Sequence, residues 1–353
     1  MFDVEKKRVL LGMSGGTDSS MAAWILQQQG YEVVGVTFRF FERDGNTGYI
    51  EEAACLCAQL GIEHLVYDAR EEFQQKVVRY FISEYMCGRT PVPCVVCNNV
   101  LKWPLMRKIA DEKGIFFIAS GHYARTETVG EKVYVRSGVD ADKDQSFFLW
   151  GVSPEILSRV VFPLGDYTKT HVREMARNLG YYKIAEKKDS MGVCFCPGDY
   201  RRFLKEKVEP DLIKTGFYRD IKGKILGKHE GFPFYTVGQR RGLGIRYQYP
   251  VFVQEIIPST NTVIIARSEN MYKKSLSLVS GVFIEMSDFI GKKVICRIRY
   301  RKQQVLCSVE MLSDNRAIVR FDEPVHSVAP GQTAVFYDGD RVLGGGIIDM
   351  AYD

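Results

Sequence analysis

Apolar runs and helical patterns alternate through the first 150 residues of the chain. Short apolar runs typical of buried strands are separated by amphipathic stretches typical of helices. The strands are predicted at 8–11, 32–38, 63–67 and 115–119, and the helices at 19–29, 48–60, 71–86 and 99–113. This alternation predicts a parallel sheet with helices on both faces, whose ligands bind beyond the carboxyl ends of the strands.

The pattern changes twice in the rest of the chain. Residues 154–207 have a mostly helical pattern. From about residue 209 glycines become frequent, and short β-type runs lie between turn signals at 235–237, 251–253 and 263–265. From about residue 276 polar and apolar residues alternate in short strands. We therefore predict an α/β protein with a doubly wound parallel-sheet domain and helical extension at 1–207, a small central domain at 208–275, and a C-terminal β-barrel at 276–353.

Composition narrows the class of protein. The 353-residue chain contains no apolar stretch that suits a signal peptide or a membrane span, which predicts a cytoplasmic protein without a membrane partner. Its net charge of +5 permits a nucleic-acid partner without requiring one. Because structural disulfides are rare in the cytoplasm, we interpret the nine cysteines as core thiols, metal ligands or catalytic thiols.

A glycine-rich loop follows the first predicted strand. Gly12, Gly15 and Gly16 allow backbone conformations with positive φ, and Ser19 and Ser20 would cap the helical run that follows. Because helix N-termini attract anions, this arrangement predicts a phosphate-binding loop. A Walker A loop does not fit, since no Lys follows the last glycine, and the spacing of the first two glycines excludes the dinucleotide fingerprint.

Residues 14–19, Ser-Gly-Gly-Thr-Asp-Ser, resemble the PP-loop of the ATP pyrophosphatases. That superfamily cleaves ATP between the α and β phosphates and leaves AMP on a substrate oxygen. An ordinary strand–turn–helix connection is the alternative. A Gly-Gly pair needs a structural reason, however, because each glycine costs about 1 kcal/mol of backbone entropy.

Two cysteine segments carry further candidate chemistry. Cys94 and Cys97 follow two prolines and precede a predicted helix, a position that lowers the pKa of thiols and makes them reactive. Cys194 and Cys196 lie in a predicted loop. A four-cysteine zinc site is disfavoured by the short Cys-x-Cys spacing, which leaves an iron–sulfur cluster on Cys94, Cys97 and Cys194, or a catalytic pair, Cys97 and Cys194, with a persulfide on one of them. The other cysteines are predicted to be core thiols: Cys55, Cys57, Cys87, Cys296 and Cys307.

Together with the loop, these segments resemble the tRNA-specific 2-thiouridylases almost to the C-terminus. The matching segments keep the order that they have in that family, which makes the resemblance far more specific than the loop alone. They are 12–19, Pro93-x-x-x-Cys97-Asn98, 121–125, 143–146, 191–195, 234–244, 299–301 and 330–332.

The resemblance implies an ATP-dependent sulfurtransferase acting on the wobble uridine, position 34, of tRNAs for Lys, Glu and Gln. ATP, with Mg²⁺, would adenylate the C2 oxygen so that it leaves as AMP. By the same resemblance, Cys194 receives a persulfide sulfur from a sulfur-relay protein or a cysteine desulfurase. Cys97 then attacks this persulfide, releases the sulfur to the base, and leaves a Cys97–Cys194 disulfide.

The resemblance also implies which residues bind ATP and tRNA, and it implies no metal ligand. The ATP-binding residues would be Gly12, Met13, Ser14, Gly15, Gly16, Thr17, Asp18, Ser19, Phe38 and Gly121. The tRNA-binding residues would be Val92, Pro93, Cys94, His122, Lys143, Asp144, Gln145, Arg299, Tyr300 and Gln332. For His122, a structural histidine in a turn after a strand is the alternative.

The chain departs from the family at Cys94, where the family usually has Asp. An Asp could orient the base or transfer a proton, and Cys94 puts that role in doubt. It also completes a Cys-x-x-Cys pair with Cys97, which favours the iron–sulfur alternative.

The C-terminal segment contains a candidate RNA surface. Arg297, Arg299 and Arg301 alternate with Cys296, Ile298 and Tyr300, which predicts a row of arginines on one face of a strand. Such a row can follow a phosphate backbone, whereas a solvated edge strand protected by charge is the alternative. The loop at 238–244 is a second basic segment.

Two other functions remain as alternatives at this point. A PP-loop ligase or amidotransferase would adenylate a small molecule and would not need Cys97 and Cys194. A non-enzymatic RNA-binding or metal-binding protein would bind no ATP at the glycine loop.

Overall fold

The computed structural model describes residues 7–42, 45, 47–187, 192–245, 247–300 and 302–353. The chain forms two compact units. The first unit is built from Met1–Val77, Cys94–Met191 and Asp340–Val342, and the second from Val78–Pro93, Gly192–Gly339 and Leu343–Asp353. Each unit therefore combines segments that are far apart in sequence.

Strands and helices alternate along the N-terminal half of the chain. In chain order they are β1 (Arg8–Gly12), α1 (Thr17–Gln28), β2 (Glu32–Arg39), α2 (Gly48–Leu60), β3 (Glu63–Asp68), α3 (Arg70–Phe73), α4 (Arg79–Met86), α5 (Pro93–Cys97), α6 (Trp103–Glu112), β4 (Phe117–Ser120), β5 (Ala124–Val129), β6 (Lys132–Ser137), α7 (Pro154–Leu157), β7 (Val160–Val161), α8 (Lys169–Asn178), α9 (Tyr182–Glu186) and α10 (Tyr200–Lys207). The predicted α/β class is confirmed.

A parallel sheet with the strand order β3-β2-β1-β4-β7 forms the centre of the first unit. Leu10 of β1 pairs with Val34 of β2 and with Ile118 of β4, and all three side chains are buried. Leu10 points to one face of the sheet, while Val9 and Leu11 point to the other and join the core formed with α1, α2, α8 and α9. Burial on both faces explains why these strands are continuous apolar runs.

Two predicted helices are interrupted by π-helical turns. The helix predicted at 71–86 consists of α3, a π turn at Gln74–Val78 and α4. The helix predicted at 99–113 begins earlier, because α5 continues through a π turn at Asn98–Lys102 into α6. A π turn breaks the 3.6-residue apolar period, and the sequence pattern therefore missed the first turns of this helix.

The second unit contains α4, α10 and two β structures. Its strands are β8 (Gly216–Asp220), β9 (Ile225–His229), β10 (Phe252–Ile257), β11 (Thr262–Ala266), β12 (Tyr272–Phe283), β13 (Val294–Arg299), β14 (Lys302–Ser313), β15 (Arg316–His326), β16 (Thr333–Asp338) and β17 (Arg341–Tyr352). The smaller sheet has the order β10-β11-β8-β9.

One predicted strand of the second unit is wrong. Residues 235–237 lie between a 3₁₀ turn at Phe232–Phe234 and a turn at Gly238, and they pair with no strand in the part of the chain that the structure describes. Tyr235 and Val237 are nevertheless buried. The apolar run reflects burial of side chains in the unit's core and not strand formation.

The predicted C-terminal barrel is confirmed. Its strands follow the order β12-β15-β14-β13-β16-β17, and β12 also pairs with β17, which closes the barrel. Strand β13 pairs with β14 on one side and β16 on the other. The alternative of an edge strand for the arginine segment is therefore wrong.

Candidate active site

The loop between β1 and α1 turns sharply at glycine. Gly15 has a φ of +68°, and a Cβ there would lie 2.7 Å from the carbonyl oxygen of Tyr49 and 3.2 Å from Cβ of Glu52. Both the left-handed backbone and the neighbouring helix α2 therefore require glycine. Helix α1 begins at Thr17 with Gly16 as its N-cap and no side-chain cap bond, so the predicted serine cap is wrong.

Hydroxyl groups hold this loop in shape from within. The Ser14 and Ser19 hydroxyl oxygens lie 3.1 Å apart, and the Ser14 N–H donates to Ser19 Oγ at 3.2 Å. The Ser20 hydroxyl donates to the Gly16 carbonyl at 2.7 Å. The first N–H groups of α1 have no partner within the helix, so the loop and the helix start together can bind an anionic phosphate.

Asp18 is fixed by two groups from distant segments. Its Oδ1 accepts hydrogen bonds from Lys169 Nζ at 2.7 Å and from the Tyr123 hydroxyl at 2.8 Å. Lys169 is 6% exposed, and a buried ammonium requires such a partner. Lys169 has no signal in the sequence, because one lysine at the start of a polar helix is ordinarily a solvated residue.

Gly121 connects the loop to the end of β4. A Cβ at Gly121 would lie 2.8 Å from the carbonyl carbon of Asp18 and 2.9 Å from the Ser19 nitrogen. The backbone of Gly121 therefore packs directly against the start of α1, which only glycine permits.

The remaining predicted ATP-binding residues lie around the ends of β1 and β2. Gly12 closes β1, and Met13 is buried with its carbonyl oxygen accepting a hydrogen bond from Thr37 Oγ1 at 3.0 Å. Phe38 is 9% exposed and stacks on Phe40, with ring centroids 5.2 Å apart. Its predicted contact with adenine stays a prediction.

Cys94 and Cys97 occupy α5, the first turn of a longer helix. Cys94 is exposed and Cys97 is half-buried. The pKa of the Cys97 thiol is raised to about 11, chiefly because the surrounding protein desolvates it, and the pKa of Cys94 is raised for the same reason. The Lys102 ammonium offsets part of both increases. The expectation that the helix start gives these thiols a lowered pKa is therefore wrong.

His122 follows Gly121, and each of its two ring nitrogens makes a hydrogen bond to a neighbouring side chain. Lys102 Nζ lies 3.1 Å from Nε2, and the Ser120 hydroxyl bonds Nδ1. An ammonium only donates, so Nε2 accepts and the ring proton lies on Nδ1, which donates to Ser120. Burial and the Lys102 charge hold the pKa of His122 well below its usual value, so the imidazole is neutral.

Cys194 projects from a tight turn in the second unit. The Cys196 N–H donates to the Val193 carbonyl at 3.1 Å, which places Cys194 and Phe195 in the two central positions. Phe195 packs against Phe81 of α4, with ring centroids 5.2 Å apart, and Cys196 is buried in the same core. Cys194 itself is exposed. The turn is thus held by the residues after the thiol, which leaves the thiol at the surface.

The other cysteines divide into two groups. Cys57, Cys296 and Cys307 are buried, as predicted, whereas Cys55 and Cys87 are exposed, so the predicted burial of these two is wrong. Cys87 follows the last residue of α4, and Cys55 lies on the outer side of α2.

Several predicted tRNA contacts also make structural hydrogen bonds within the first unit. Asp144 is 8% exposed, and its carboxylate accepts from the Gly138 and Ser146 N–H groups and from the Ser146 hydroxyl. Gln145 Oε1 accepts from the Tyr123 N–H at 3.0 Å, and Lys143 is half-buried. These bonds shape the segment beside β5, and direct contacts with tRNA stay predictions.

The predicted contacts of the second unit lie on the barrel and beside it. Arg299 is half-buried and donates to the Ser327 carbonyl at 3.0 Å, while burial lowers the pKa of its guanidinium. Tyr300 follows β13 and is half-buried. Gln332 Nε2 donates to the Thr90 carbonyl at 2.9 Å, in the segment that leads through half-buried Val92 and buried Pro93 to Cys94.

The predicted alternation in β13 is confirmed for the residues described. Cys296 and Ile298 are buried, while Arg297 and Arg299 lie on the opposite face. The Arg297 guanidinium lies 3.9 Å from the centroid of the Tyr337 ring, so it also stabilises the barrel. Arg301, and Met191 of the second cysteine segment, lie outside the described residues.

Two further properties bear on the kind of site. Among the described residues, no group of three or more His, Cys, Asp or Glu side chains is placed to hold a metal ion. No helix in the described part of the chain is long and apolar enough to cross a membrane.

Models of known protein families match this chain. Three family models match the chain: a tRNA methyl transferase HUP domain at 7–198, a tRNA methyl transferase PRC-barrel domain at 201–267, and an aminomethyltransferase β-barrel domain at 287–348. The first of these covers the glycine loop and both cysteine segments.

Curated relatives match over nearly the whole chain. The tRNA-specific 2-thiouridylase MnmA 2 of Phocaeicola vulgatus is 51% identical and covers 97% of this chain and 97% of its own length. MnmA 1 of Bacteroides fragilis is 50% identical with 98% coverage of both, and MnmA of Cytophaga hutchinsonii is 40% identical with 99% coverage of both. The chain belongs to the tRNA-specific 2-thiouridylase family, the PP-loop enzymes that use ATP and Mg²⁺ to transfer sulfur to a tRNA uridine.

Proposed function

We propose that this chain catalyses ATP-dependent 2-thiolation of the wobble uridine, position 34, in tRNAs for Lys, Glu and Gln. The observation that supports this most is the dipeptide Gly121-His122. Gly121 packs on the phosphate loop at Asp18, and His122 binds Lys102, five residues after Cys97. The nucleotide site and a candidate sulfur-transfer thiol are thus connected through two adjacent residues of the first unit.

The loop between β1 and α1 would perform the adenylation step. Its N–H groups and the start of α1 would hold the pyrophosphate part of ATP while the uridine C2 oxygen attacks the α phosphate. Asp18 is the residue suited to Mg²⁺, because its carboxylate is held in place by Lys169 and Tyr123 yet is 37% exposed. The metal would neutralise charge on the phosphates.

Two thiols would carry the sulfur. Cys194, exposed on its turn, would accept a persulfide sulfur from a sulfur-relay protein or a cysteine desulfurase. Cys97 would attack the inner sulfur of that persulfide, release the outer sulfur to C2 of the adenylated base, and form a Cys97–Cys194 disulfide as AMP leaves. His122 is neutral and already hydrogen-bonded at both nitrogens, so its role would be to position Lys102 and the base.

The parts of the chain would share this work. We propose that 1–207 binds ATP and carries the chemistry, and that 208–275 and 276–353 hold the tRNA, with Arg299, Tyr300 and Gln332 among the contacts. The same proposal places the enzyme in the cytoplasm.

An iron–sulfur route on Cys94, Cys97 and Cys194 is the alternative to the persulfide route. Iron and sulfide analysis of anaerobically purified, active enzyme distinguishes the two routes.

Thiolation of purified, unthiolated tRNA tests the function. With ATP, Mg²⁺ and a persulfide donor, we expect 2-thiouridine at position 34 and one AMP per modified base. Asp18→Ala should abolish AMP release, and Cys97→Ser and Cys194→Ser should abolish 2-thiouridine. Cys87→Ser is the matched control, because Cys87 is also exposed but lies at the end of α4. Full thiolation in both cysteine variants would contradict the two-thiol mechanism. AMP release without 2-thiouridine in the unmodified enzyme would instead favour a ligase that adenylates a small molecule.

A further inference from the structure

We propose that Cys94 is a resolving thiol, which attacks the sulfur of Cys97 and clears the disulfide left by each round of sulfur transfer. This inference rests on the proposed function, in which a Cys97–Cys194 disulfide ends the cycle. Its structural basis is the placement of Cys94 and Cys97 three residues apart in the first turn of one helix, with Cys94 the more exposed.

The spacing brings the two thiols within reach of each other. Residues three apart in a helix are neighbours, with Cβ atoms about 5–6 Å apart. A disulfide needs Cβ atoms about 3.5–4.5 Å apart, so the first turn has to tighten by only about 1–2 Å. A Cys-x-x-Cys pair at the start of a helix is an arrangement in which cysteines exchange disulfides.

A π turn places a cation beside this pair. In a regular α-helix, residues five apart are rotated by about 140°, which would direct Lys102 away from Cys97. The π turn Asn98–Lys102 reduces this rotation, because its hydrogen bonds join residues five apart. The Lys102 ammonium lowers the pKa of both thiols against the effect of desolvation. It therefore partly offsets the desolvation that disfavours the thiolates needed for exchange.

The exchange step needs no outside oxidant, because the protein contains the same number of disulfides before and after it. The Cys94 thiol loses its proton to solvent, and its thiolate attacks Sγ of Cys97. The Cys97–Cys194 bond breaks as the Cys94–Cys97 bond forms, and Cys194 leaves as a thiolate that takes a proton from solvent. One disulfide is consumed and one is formed. Cys194 is then a thiol again and can accept another sulfur. A dithiol reductant attacks the exposed Cys94 sulfur of the new disulfide and, by giving up two electrons, returns both cysteines to thiols.

Turnover kinetics of the full-length enzyme with tRNA test the proposal. In Cys94→Ser we expect the rate of later turnovers, relative to that variant's own first turnover, to fall at least tenfold with a protein dithiol as reductant. The ratio cancels any effect of residue 94 on binding of the base. Cys87→Ser is the control, because it removes another exposed thiol at the end of α4 and should leave the ratio as in the unmodified enzyme. An unchanged ratio in Cys94→Ser would overturn the proposal.

Mass spectrometry after one turnover without reductant identifies the disulfide directly. We expect a Cys94–Cys97 link in the unmodified enzyme and a Cys97–Cys194 link in Cys94→Ser. A Cys97–Cys194 link in both would also overturn the proposal. If neither protein thiolates tRNA, the proposed function has failed, and a glutathione redox titration then decides about Cys94 alone. An intramolecular Cys94–Cys97 disulfide at equilibrium supports the dithiol, whereas glutathione on each thiol separately contradicts it.

Discussion

Two cysteine pairs in this protein lie in contrasting surroundings. Cys94 and Cys97 lie at the start of a helix in the first unit, partly open to solvent and under the influence of Lys102. Cys296 and Cys307 lie inside the barrel of the second unit and are both completely buried. Cys296 pairs with Val305 across β13 and β14, and its thiol bonds that of Cys307.

The two pairs differ in what surrounds the thiols, because in each pair the two cysteines are near neighbours. Burial among apolar side chains raises the pKa of Cys296 well above its usual value, and no cation among the residues that the structure describes opposes that effect. The helix pair is desolvated too, yet Lys102 partly offsets the increase in pKa. Reactivity therefore requires access for a partner molecule and a cation that stabilises the thiolate, and only the helix pair has both.

Substitution of one cysteine from each pair should separate the two roles most strongly. Cys97→Ser should lower tRNA thiolation at least about 1000-fold, because a hydroxyl cannot replace a nucleophilic thiolate. Cys307→Ala should retain thiolation within about threefold per folded molecule, since only packing changes. Quantification of 2-thiouridine in digested tRNA measures both. Comparable losses in the two variants would mean that the barrel pair also takes part in the reaction.

The fold could be predicted wherever side-chain burial follows a regular period. Strands β1, β2 and β4 are predicted because strands covered on both faces are continuous apolar runs. The barrel was predicted because its strands alternate, as in β13 with its buried Cys296 and Ile298. The π turn Asn98–Lys102 has no such period, and the segment 235–237 is apolar without being a strand. The assignment of 78–93 to the second unit depends on long-range packing that no local pattern records.

The candidate site could be predicted only where residues form a motif. The glycine loop and each of the two cysteine segments are short continuous stretches of sequence, and the spacing of the residues within each stretch predicts its role. Lys169, which fixes Asp18, is 151 residues away along the chain, and Lys102 and Ser120, which bind His122, stand alone in their segments. Single polar residues of this kind become informative only when the fold brings them to a partner.

Alkylation of the native protein should also distinguish the pairs. At pH 8 we expect Cys94 to react with iodoacetamide about 100-fold faster than Cys296 or Cys307, because the barrel thiols react only after the barrel opens. Peptide mass spectrometry over a time course measures each site. In 6 M urea the rates should converge, and a difference that persists there would show that exposure is not its cause.

Substitutions in the barrel pair should lower the free energy of unfolding more than substitutions in the helix pair. Cys296→Ser should lower the free energy of unfolding by about 1–3 kcal/mol, because it places a hydroxyl in an apolar interior. Cys94→Ser should change it by less than about 0.5 kcal/mol, since that side chain is exposed. Urea titrations followed by tryptophan fluorescence measure both changes. Equal destabilisation would mean that Cys94 supports the first turn of its helix.

The smallest expected effect tests the cation itself. Lys102→Met should slow alkylation of Cys97 about three- to tenfold at pH 8, because the thiol loses the charge that lowers its pKa and its rate–pH curve moves to higher pH. The pKa of His122 should rise in the same variant, because the ammonium that disfavours its protonation is gone. Lys108→Gln, an exposed change farther along the same helix, is the control. NMR titration of His122 together with the alkylation profile separates this charge effect from a loss of packing, since a packing defect would speed alkylation by exposing Cys97.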